Sequence, residues 1–581
     1  MSKGKFLDKF FGFVVVAGVV LCSILFLIFL FNLEYQSFTF ELLSFYNKTD
    51  RIGFFRQNLL TETRFFILKV VVGLTCMLFS AFIFWKWKWI KKYFFLSKNR
   101  IYIEVESILK KVIYTWNEIS FFEKFVLFIP LPIYIIFWWL YGWQNDEIFS
   151  YTFFVDRGIL VCATYYPAPN NHVAFLIFSA LLNKIIPSFF SDFICLKLPA
   201  TCSAMLSLWI IWLFFYRRNQ KKIAWFSFYL VAFSGGFFFY ATHGRGYAWT
   251  ILFFLWSCFA VFKIISNQNK AIVGVLVTTT PTIQSKKYWF LWAISLIFGC
   301  YTIPIFIYVW FGSLIGLWLI GTNKIRIESI IVSCVSGIII LFLYSPILII
   351  NGLSAIVSNS WVAPLSFEKW LEIFPSYLMD VHGIVGILAF IASFILFFRK
   401  KEFRKTIIYF WCIAYLPYLI TFIQKVLPFE RVFLYRQVAE ILMLCFCVVI
   451  LTEKYFTKLF YKKSLQITFI SLAIFYASVR MYGQYYHWNI RTNVYQFAEP
   501  LAKKIYTQKP SSILVLEDTY NVFLRYYFRD SDTKVDVLPK SKTEYQIIIL
   551  PLEKEFPLSK TDSLNYSIFY KDNFVKGFER K

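Results

Sequence analysis

The sequence predicts a polytopic, all-α membrane protein with a small α/β domain at its C-terminal end. Hydrophobic residues make up 59% of the 581 residues and aromatic residues 22%, and the mean hydropathy is +0.61. Because globular chains are only about 45–50% apolar, this composition excludes an ordinary water-soluble protein. The spacing of the apolar segments and the placement of the basic residues between them supply the topology.

Apolar segments recur along the first 480 residues at the length that a helix needs to cross a bilayer. They predict about 13 transmembrane helices. A shorter apolar segment, 172–187, contains Lys184 and is predicted to lie along the outer surface of the membrane. The predicted spans are 11–32, 65–85, 124–143, 196–216, 223–241, 247–265, 288–303, 304–321, 327–349, 381–398, 406–423, 437–452 and 464–480.

Lys and Arg residues concentrate in every second gap between these segments. This alternation follows the positive-inside rule, so the N-terminus is predicted to be cytoplasmic and the C-terminus to lie outside. The net charge of +27 then belongs to loops that face anionic lipid, and no nucleic-acid partner is expected. A bacterial inner membrane is the predicted location, although an endoplasmic-reticulum membrane protein would show the same alternation.

Three regions follow from these patterns. Residues 1–110 hold the first transmembrane helices and a basic cytoplasmic loop, and residues 111–480 form the main transmembrane domain, with a long outer loop at 144–195. Residues 481–581 are more polar and predict a soluble outer α/β domain. Its predicted elements are strands at 512–516, 534–538 and 545–550 and a helix at 519–528 with Asp518 as its cap.

The most informative polar residues are Asp146 and Glu147, which directly follow a strongly apolar run. Ionisable groups at a membrane boundary are costly unless they face water or a partner, so their default interpretation is functional. Other polar side chains fall on the same predicted side of the membrane, in the loop 144–195, in the turn at 242–247 and in the gap before the span 437–452. Such convergence on one face predicts a substrate chamber.

Four short motifs occur in order along this part of the chain, and together they resemble the GT-C membrane glycosyltransferases. The resemblance is to the branch of protein O-mannosyltransferases and aminoarabinose transferases, and it covers residues 120–440. Lys197 stands where that family usually has Arg, Ala174 stands where a second Pro is common, and the segment 11–90 is an addition. The motifs are Asn145-Asp146-Glu147, Tyr166-Pro167 with Asn171-His172, Leu196-Lys197-Leu198-Pro199-Ala200, and Gly244-Arg245-Gly246-Tyr247-Ala248.

The resemblance implies an inverting sugar transfer from a polyprenyl-phosphate donor to an acceptor hydroxyl of a protein, lipid or glycan. Asp146 is then the expected general base, and Glu147 is expected to orient the acceptor or a metal ion. Arg245, Arg431 and Arg436 are the expected ligands of the donor phosphate. No cofactor is required by the sequence, and a divalent metal ion stays open. The expected substrate-binding residues are Tyr166, Asn171, His172, Lys197, His243, Tyr247 and Tyr435.

Simpler interpretations also stand at this point. The acidic pair is also explained as the cap of a helix at the membrane surface, and Arg436 as the partner of Glu440 one helical turn later. The arginines and histidines are also explained as interfacial side chains that reach the headgroups. At the level of the whole chain, a transporter, a flippase or a polysaccharide ligase is the alternative, although the sequence contains no internal repeat of the kind that many transporters show.

Overall fold

The structure is a computed structural model in which two compact units are recognised. One comprises residues 1–128 and 345–355, and the other comprises residues 129–344 and 356–581. Of the predicted spans, most of 11–32 and nearly all of 464–480 fall outside the described residues. The structure describes residues 27–28, 30–45, 52–85, 113–166, 171–185, 192–217, 220–272, 281–352, 356, 364–460, 479, 493–539, 544–554 and 565–581.

The first unit contains helices α1 (Tyr35–Phe45), α2 (Glu62–Trp85) and α3 (Phe121–Phe128). Helix α2 is almost continuously apolar, and Glu62 in its first turn complements the positive end of the helix dipole. The apolar core of this unit includes Leu60 and Phe65. The Tyr35 hydroxyl donates a 2.7 Å hydrogen bond to the Leu60 carbonyl.

The second unit is predominantly helical up to residue 460 and carries the loop 144–195. Because its segments are apolar over long stretches, their backbone groups are satisfied within helices. Its helices are α4 (Pro130–Tyr141), α5 (Asn145–Ser150), α6 (Ile159–Thr164), α7 (Val173–Ile185), α8 (Asp192–Tyr216), α9 (Lys221–Ala232), α10 (Gly235–Thr242), α11 (Tyr247–Ile272), α12 (Pro281–Thr302), α13 (Ile307–Ile320), α14 (Asn323–Asn351), α15 (Phe367–Arg399), α16 (Arg404–Ala414), α17 (Pro417–Gln424) and α18 (Leu434–Phe460).

Six helical stretches among the described residues are long and apolar enough to cross a membrane, and two bent helix pairs raise the number to eight. Of the 13 predicted spans, 11 fall wholly or mostly within the described residues, so fewer helices there meet this test than the sequence predicted. The predicted span 223–241 is two helices, α9 and α10, with a 64° bend between them, and α13 has only 14 residues. Apolar composition thus located the helices correctly but did not reveal where they break. Helix α7, with 13 residues, is also too short to cross, and its placement along the outer surface stays a prediction.

The C-terminal domain is a five-stranded mixed sheet with the strand order β2-β1-β3-β5-β4. Central strands β1 and β3 are parallel and buried along most of their length, as strands covered on both faces must be. The three predicted strands and the helix α20 are confirmed, but Glu517, not Asp518, caps that helix by accepting from the Tyr520 N–H. Helix α19 and strands β4 and β5 were not predicted. The elements are α19 (Asn493–Gln508), β1 (Ser512–Val515), α20 (Asp518–Tyr527), β2 (Lys534–Asp536), β3 (Ile547–Pro551), β4 (Tyr566–Lys571) and β5 (Val575–Arg580).

Candidate active site

The acidic pair lies in the first turn of α5, the short helix at the start of the loop 144–195. Gly142 ends the preceding helix with φ of 57°, a conformation that favours glycine, and the chain then turns into α5. The Gln144 N–H donates to Glu147 Oε2 over 3.1 Å, so the carboxylate of Glu147 caps its own helix. This cap directs the Glu147 side chain back toward the helix start.

Glu147 is fully buried, and every contact of its carboxylate is to a hydrogen-bond donor. Besides Gln144, the Gly244 N–H donates to Oε1, and the Lys197 ammonium lies 3.4 Å from Oε2. Burial raises the pKa of the Glu147 carboxyl, while Lys197 and the two backbone N–H groups oppose that rise. The structure thus places Glu147 in an anchoring position, which matches the helix-cap interpretation of this residue.

Lys197 lies on α8 and is also fully buried. Its ammonium donates a 2.9 Å hydrogen bond to the Gly142 carbonyl and lies 4.5 Å from the centre of the Phe193 ring. Lys197 therefore joins α8 to both sides of the turn that precedes α5, which fixes the position of the acidic pair.

Asp146, the neighbour of Glu147 in sequence, has the opposite environment. Its side chain is 46% exposed, and its Oδ2 lies 3.4 Å from Arg245 Nη1 and 3.9 Å from Arg431 Nη1. Arg245 Nη1 also donates to the Asp146 backbone carbonyl over 3.2 Å. The accessible carboxylate therefore sits between two guanidinium groups.

Arg245 belongs to the tight turn between α10 and α11, and its side chain is only 4% exposed. Glycines flank it because the turn packs closely: a Cβ on Gly244 would lie 2.6 Å from Leu196 Cβ, and one on Gly246 would lie 2.9 Å from His172 Cβ. These approaches explain the Gly-Arg-Gly pattern as a packing requirement that holds the guanidinium beside α5.

His172 precedes α7 and supports the same turn. Its Nδ1 accepts the Gly246 N–H over 2.7 Å, so a neutral ring carries its proton on Nε2, which lies 3.4 Å from Arg245 Nη2. Burial lowers the pKa of His172 well below its ordinary value, and the charges of Arg245 and Arg431 lower it further. A neutral imidazole is therefore the stable form in this position.

Arg431 and Tyr247 complete the group. Arg431 is 38% exposed, lies over the Phe429 ring and donates a hydrogen bond to the Tyr247 side chain. The Tyr247 ring meets the His172 ring edge-on at 4.8 Å. Together, Asp146, His172, Arg245, Tyr247 and Arg431 form what we call the Asp146 cluster.

Two residues predicted to contact substrate lie instead within the helical core. Arg436 is fully buried, with its guanidinium carbon 4.1 Å from the Tyr418 ring centre and 4.4 Å from that of Phe433, and it donates to the Tyr418 hydroxyl. Tyr435 is buried with its ring 5.7 Å from that of Phe254. The structure brings neither of them into the Asp146 cluster.

The remaining predicted residues surround the cluster as supports. Asn171 donates to the carbonyls of Cys162 and Tyr165 and so shapes the end of α6. His243 is buried and stacks on Phe239 at 3.7 Å, and burial lowers its pKa, with the charge of Lys197 adding to that effect. Tyr166 is buried, and burial raises the pKa of its hydroxyl, with nearby Tyr247 adding to the rise.

Sequence reasoning missed a second set of polar contacts around Asp192, the first residue of α8. Its carboxylate accepts from Tyr151, Tyr526 and Arg529. Asp192 lies 337 residues from Arg529 in the sequence, so no local pattern signals the pair. The only indication in the sequence was an acidic residue, Asp192, just before the predicted span 196–216.

The described residues contain no group of three or more His, Cys, Asp or Glu side chains placed to hold a metal ion.

Comparison with solved structures relates the fold to membrane glycosyltransferases. ArnT from Cupriavidus metallidurans in its apo state has a TM-score of 0.50 and 9% sequence identity, over 79% of this chain and 98% of ArnT. ArnT bound to undecaprenyl phosphate gives a TM-score of 0.47 at 10% identity, with the same coverage. The apo oligosaccharyltransferase of Archaeoglobus fulgidus gives 0.42 at 11% identity, over 75% of this chain and 70% of that one.

No protein-family model and no curated protein matches the sequence. At 9% identity, the likeness to ArnT concerns the fold alone. The structural similarity to GT-C membrane glycosyltransferases that the motifs implied is confirmed at that level.

Proposed function

We propose that the chain is an inverting glycosyltransferase that moves a sugar from a polyprenyl-phosphate donor to an acceptor hydroxyl at the outer face of the membrane. The observation that carries this proposal is the Asp146 carboxylate, which is accessible and lies between the guanidinium groups of Arg245 and Arg431. A carboxylate base and two guanidinium cations therefore lie side by side at one end of the helical membrane domain. The ArnT-like fold is in keeping with this chemistry.

In the proposed reaction, the acceptor oxygen attacks the anomeric carbon while its proton passes to the Asp146 carboxylate. The bond between the anomeric carbon and the phosphate oxygen breaks, and polyprenyl phosphate leaves with the bonding electrons. Because the leaving group is already a phosphate, it needs no general acid. A single displacement with one base inverts the configuration at the anomeric carbon.

Arg245 and Arg431 are the proposed ligands of the donor phosphate. Guanidinium groups form paired, charge-assisted hydrogen bonds with phosphate oxygens, and fixed cations stabilise the negative charge that develops as the phosphate leaves. Arg245 is held by the Gly244–Gly246 turn, which His172 supports by accepting the Gly246 N–H. This support places its charge before the substrate arrives, which lowers the cost of reorganisation during the reaction.

Glu147 and Lys197 have a supporting role in this proposal. Their buried ion pair holds α5 against α8 and, through the Gly244 N–H, holds the turn that carries Arg245. The Glu147 carboxylate therefore fixes the positions of both the Asp146 base and the Arg245 guanidinium. His172 acts through its neutral ring, which accepts from Gly246 and adds no positive charge beside Arg245.

The test is release of polyprenyl phosphate from a panel of undecaprenyl-phosphate sugars supplied with protein, lipid and glycan acceptors. Undecaprenyl phosphate is the chosen carrier because ArnT has been crystallised with it. The wild type is expected to consume at least one donor, and Asp146→Asn is expected to bind that donor but not to turn it over. Equal turnover by both proteins contradicts the assignment of Asp146 as the base.

A transporter or flippase is the second candidate, and the 64° break between α9 and α10 is the observation that favours it. Broken helices commonly line the substrate paths of transporters. Helix α10 runs from this break to the turn that holds Arg245. In sealed vesicles, movement of a lipid-linked sugar to the other leaflet without its consumption supports this candidate and contradicts the transferase.

A further inference from the structure

The C-terminal domain contacts the outer loop at Asp192, whose carboxylate accepts hydrogen bonds from both parts of the chain. Tyr151 from the outer loop donates to its Oδ1 over 2.6 Å. Tyr526 and Arg529 from the C-terminal domain both bind its Oδ2, over 2.8 Å and 2.7 Å. The side chains of Arg529 and Asp192 are only 20% and 26% exposed, so this ion pair is better shielded from solvent than a surface pair.

Aromatic packing accompanies these polar contacts. The Tyr526 ring lies 5.5 Å from that of Trp143 and 5.9 Å from that of Tyr151. The Arg529 guanidinium lies 4.5 Å from the Tyr526 ring centre and 5.5 Å from that of Tyr151. Tilted and edge-to-face ring contacts with a guanidinium over two of the rings give this contact a defined geometry.

The contacted residues flank the proposed catalytic segment on both sides. Trp143 lies two residues before α5 and Tyr151 immediately follows it, and α5 carries Asp146 and Glu147. Asp192 begins α8, which carries Lys197, the buried partner of Glu147. The segment is therefore held at two points, by Lys197 within the membrane domain and by Asp192 at the contact with the C-terminal domain.

We propose that Tyr526 and Arg529 are positioning residues through which the C-terminal domain holds the Asp146 segment in its reactive place. They act through Asp192, Tyr151 and Trp143 and do not touch the reacting atoms. This inference rests on the proposed function for its catalytic consequence. Small displacements of a positioned base reduce rates strongly, by about 100-fold for 1 Å in well-studied enzymes.

The first experiment needs no substrate. Hydrogen–deuterium exchange of the full-length protein is compared between the wild type and Arg529→Met, which keeps much of the aliphatic stem and removes the charge. Amides of residues 145–155 are expected to exchange at least about tenfold faster in the variant, since about 1.4 kcal/mol of lost restraint corresponds to tenfold. Lys503→Met is the matched control, because it removes the exposed Lys503–Glu499 pair of the same domain.

The second experiment measures donor turnover and binding of undecaprenyl phosphate. Arg529→Met is expected to lower kcat by about tenfold while the dissociation constant of the lipid phosphate changes less than about twofold. Arg529→Lys, which keeps a donor for Asp192, is expected to recover part of kcat. A merely structural role lowers the melting temperature and the yield but leaves kcat of the folded protein unchanged.

The outcomes separate the two proposals. Unchanged exchange of residues 145–155 in Arg529→Met overturns the positioning inference even if the wild type transfers sugar. Faster exchange with unchanged kcat overturns the catalytic part of the inference. If the wild type consumes no donor, the proposed function fails, and faster exchange still supports the mechanical restraint by the C-terminal domain.

Discussion

The Lys197 ammonium and the Glu147 carboxylate lie 3.4 Å apart, and neither side chain is exposed to solvent. Burying two charges costs several kcal/mol for each ion, which their attraction offsets only with good geometry and further hydrogen bonds. Here Gly142, Gln144 and Gly244 supply those bonds. The pair therefore joins three segments, namely the turn before α5, helix α8 and the turn that carries Arg245.

Removing one partner of this pair is expected to destabilise the protein more than removing both. Lys197→Met leaves the Glu147 carboxylate buried without its cation, a change that typically costs about 3–5 kcal/mol. The double variant Glu147→Gln with Lys197→Met removes both charges and is expected to recover a large part of the loss. Melting temperatures and folded yields in detergent compare the stabilities of the wild type, the two single variants and the double variant. Single and double variants with equal stability rule out an ion pair between these residues.

Asp146→Asn is expected to bind a polyprenyl phosphate more tightly than the wild type does. The Asp146 carboxylate lies against both proposed phosphate ligands, so an incoming phosphate competes with it for Arg245 and Arg431. Since a partly exposed ion pair is worth about 1 kcal/mol, the expected gain in affinity is about fivefold. Displacement of the carboxylate from the arginines also frees it to accept a proton.

The measurement is titration with undecaprenyl phosphate, with undecaprenol as the uncharged reference. Asp156→Asn is the control. Asp156 is another carboxylate of the same loop, but it lies 3.9 Å from Arg529, which is not a proposed phosphate ligand. Weaker or equal binding by Asp146→Asn shows that the carboxylate does not compete with the phosphate. Tighter binding of undecaprenol as well shows that the change is not electrostatic.

Arg431 and Arg436 are expected to respond differently to the same substitution. Arg431 is partly exposed within the Asp146 cluster, so Arg431→Gln should fold normally and bind undecaprenyl phosphate at least about tenfold more weakly. Arg436 is enclosed by Tyr418 and Phe433, so Arg436→Gln should lose folded protein. Folded yield and lipid-phosphate titration measure both. Normal folding of Arg436→Gln with lost binding returns Arg436 to the donor site.

The sequence located the helices of the membrane domain and the central strands of the C-terminal domain because both depend on local apolar patterns. It did not show that Asp146 and Glu147 have opposite environments. The cap on α5 decides this, since it is the third residue of the helix, Glu147, whose side chain returns to the Gln144 N–H. Adjacent residues with similar chemistry are indistinguishable until that cap is known.

Contacts between segments that are far apart in the sequence could not be predicted, for a different reason. Arg529 and Asp192 form an ion pair although 337 residues separate them in the sequence, and neither residue belongs to a motif. Arg436 is the opposite case: its position near Arg431 in the sequence suggested a phosphate ligand, and the structure encloses its guanidinium between the rings of Tyr418 and Phe433. A single sequence without tertiary contacts cannot distinguish a boundary arginine from a buried one.

The stability of the protein is expected to fall as the pH decreases below about 6.5, the ordinary pKa of histidine. Burial lowers the pKa of both His172 and His243 in the folded protein, so the unfolded chain binds more protons than the folded one below that pH. Each such histidine then contributes a loss of up to about 1.4 kcal/mol per pH unit until its folded pKa is reached. Above about pH 8 both are almost entirely neutral in either state and contribute little slope.

Melting temperatures between pH 5 and pH 8 measure this effect, and His172→Asn isolates one of its two sources. The Asn side-chain oxygen can replace Nδ1 as acceptor of the Gly246 N–H but does not titrate, so the slope below pH 6.5 is expected to become shallower by about one proton. An unchanged slope in His172→Asn shows that His172 keeps an ordinary pKa, and it contradicts the neutral support that the imidazole is proposed to give Arg245.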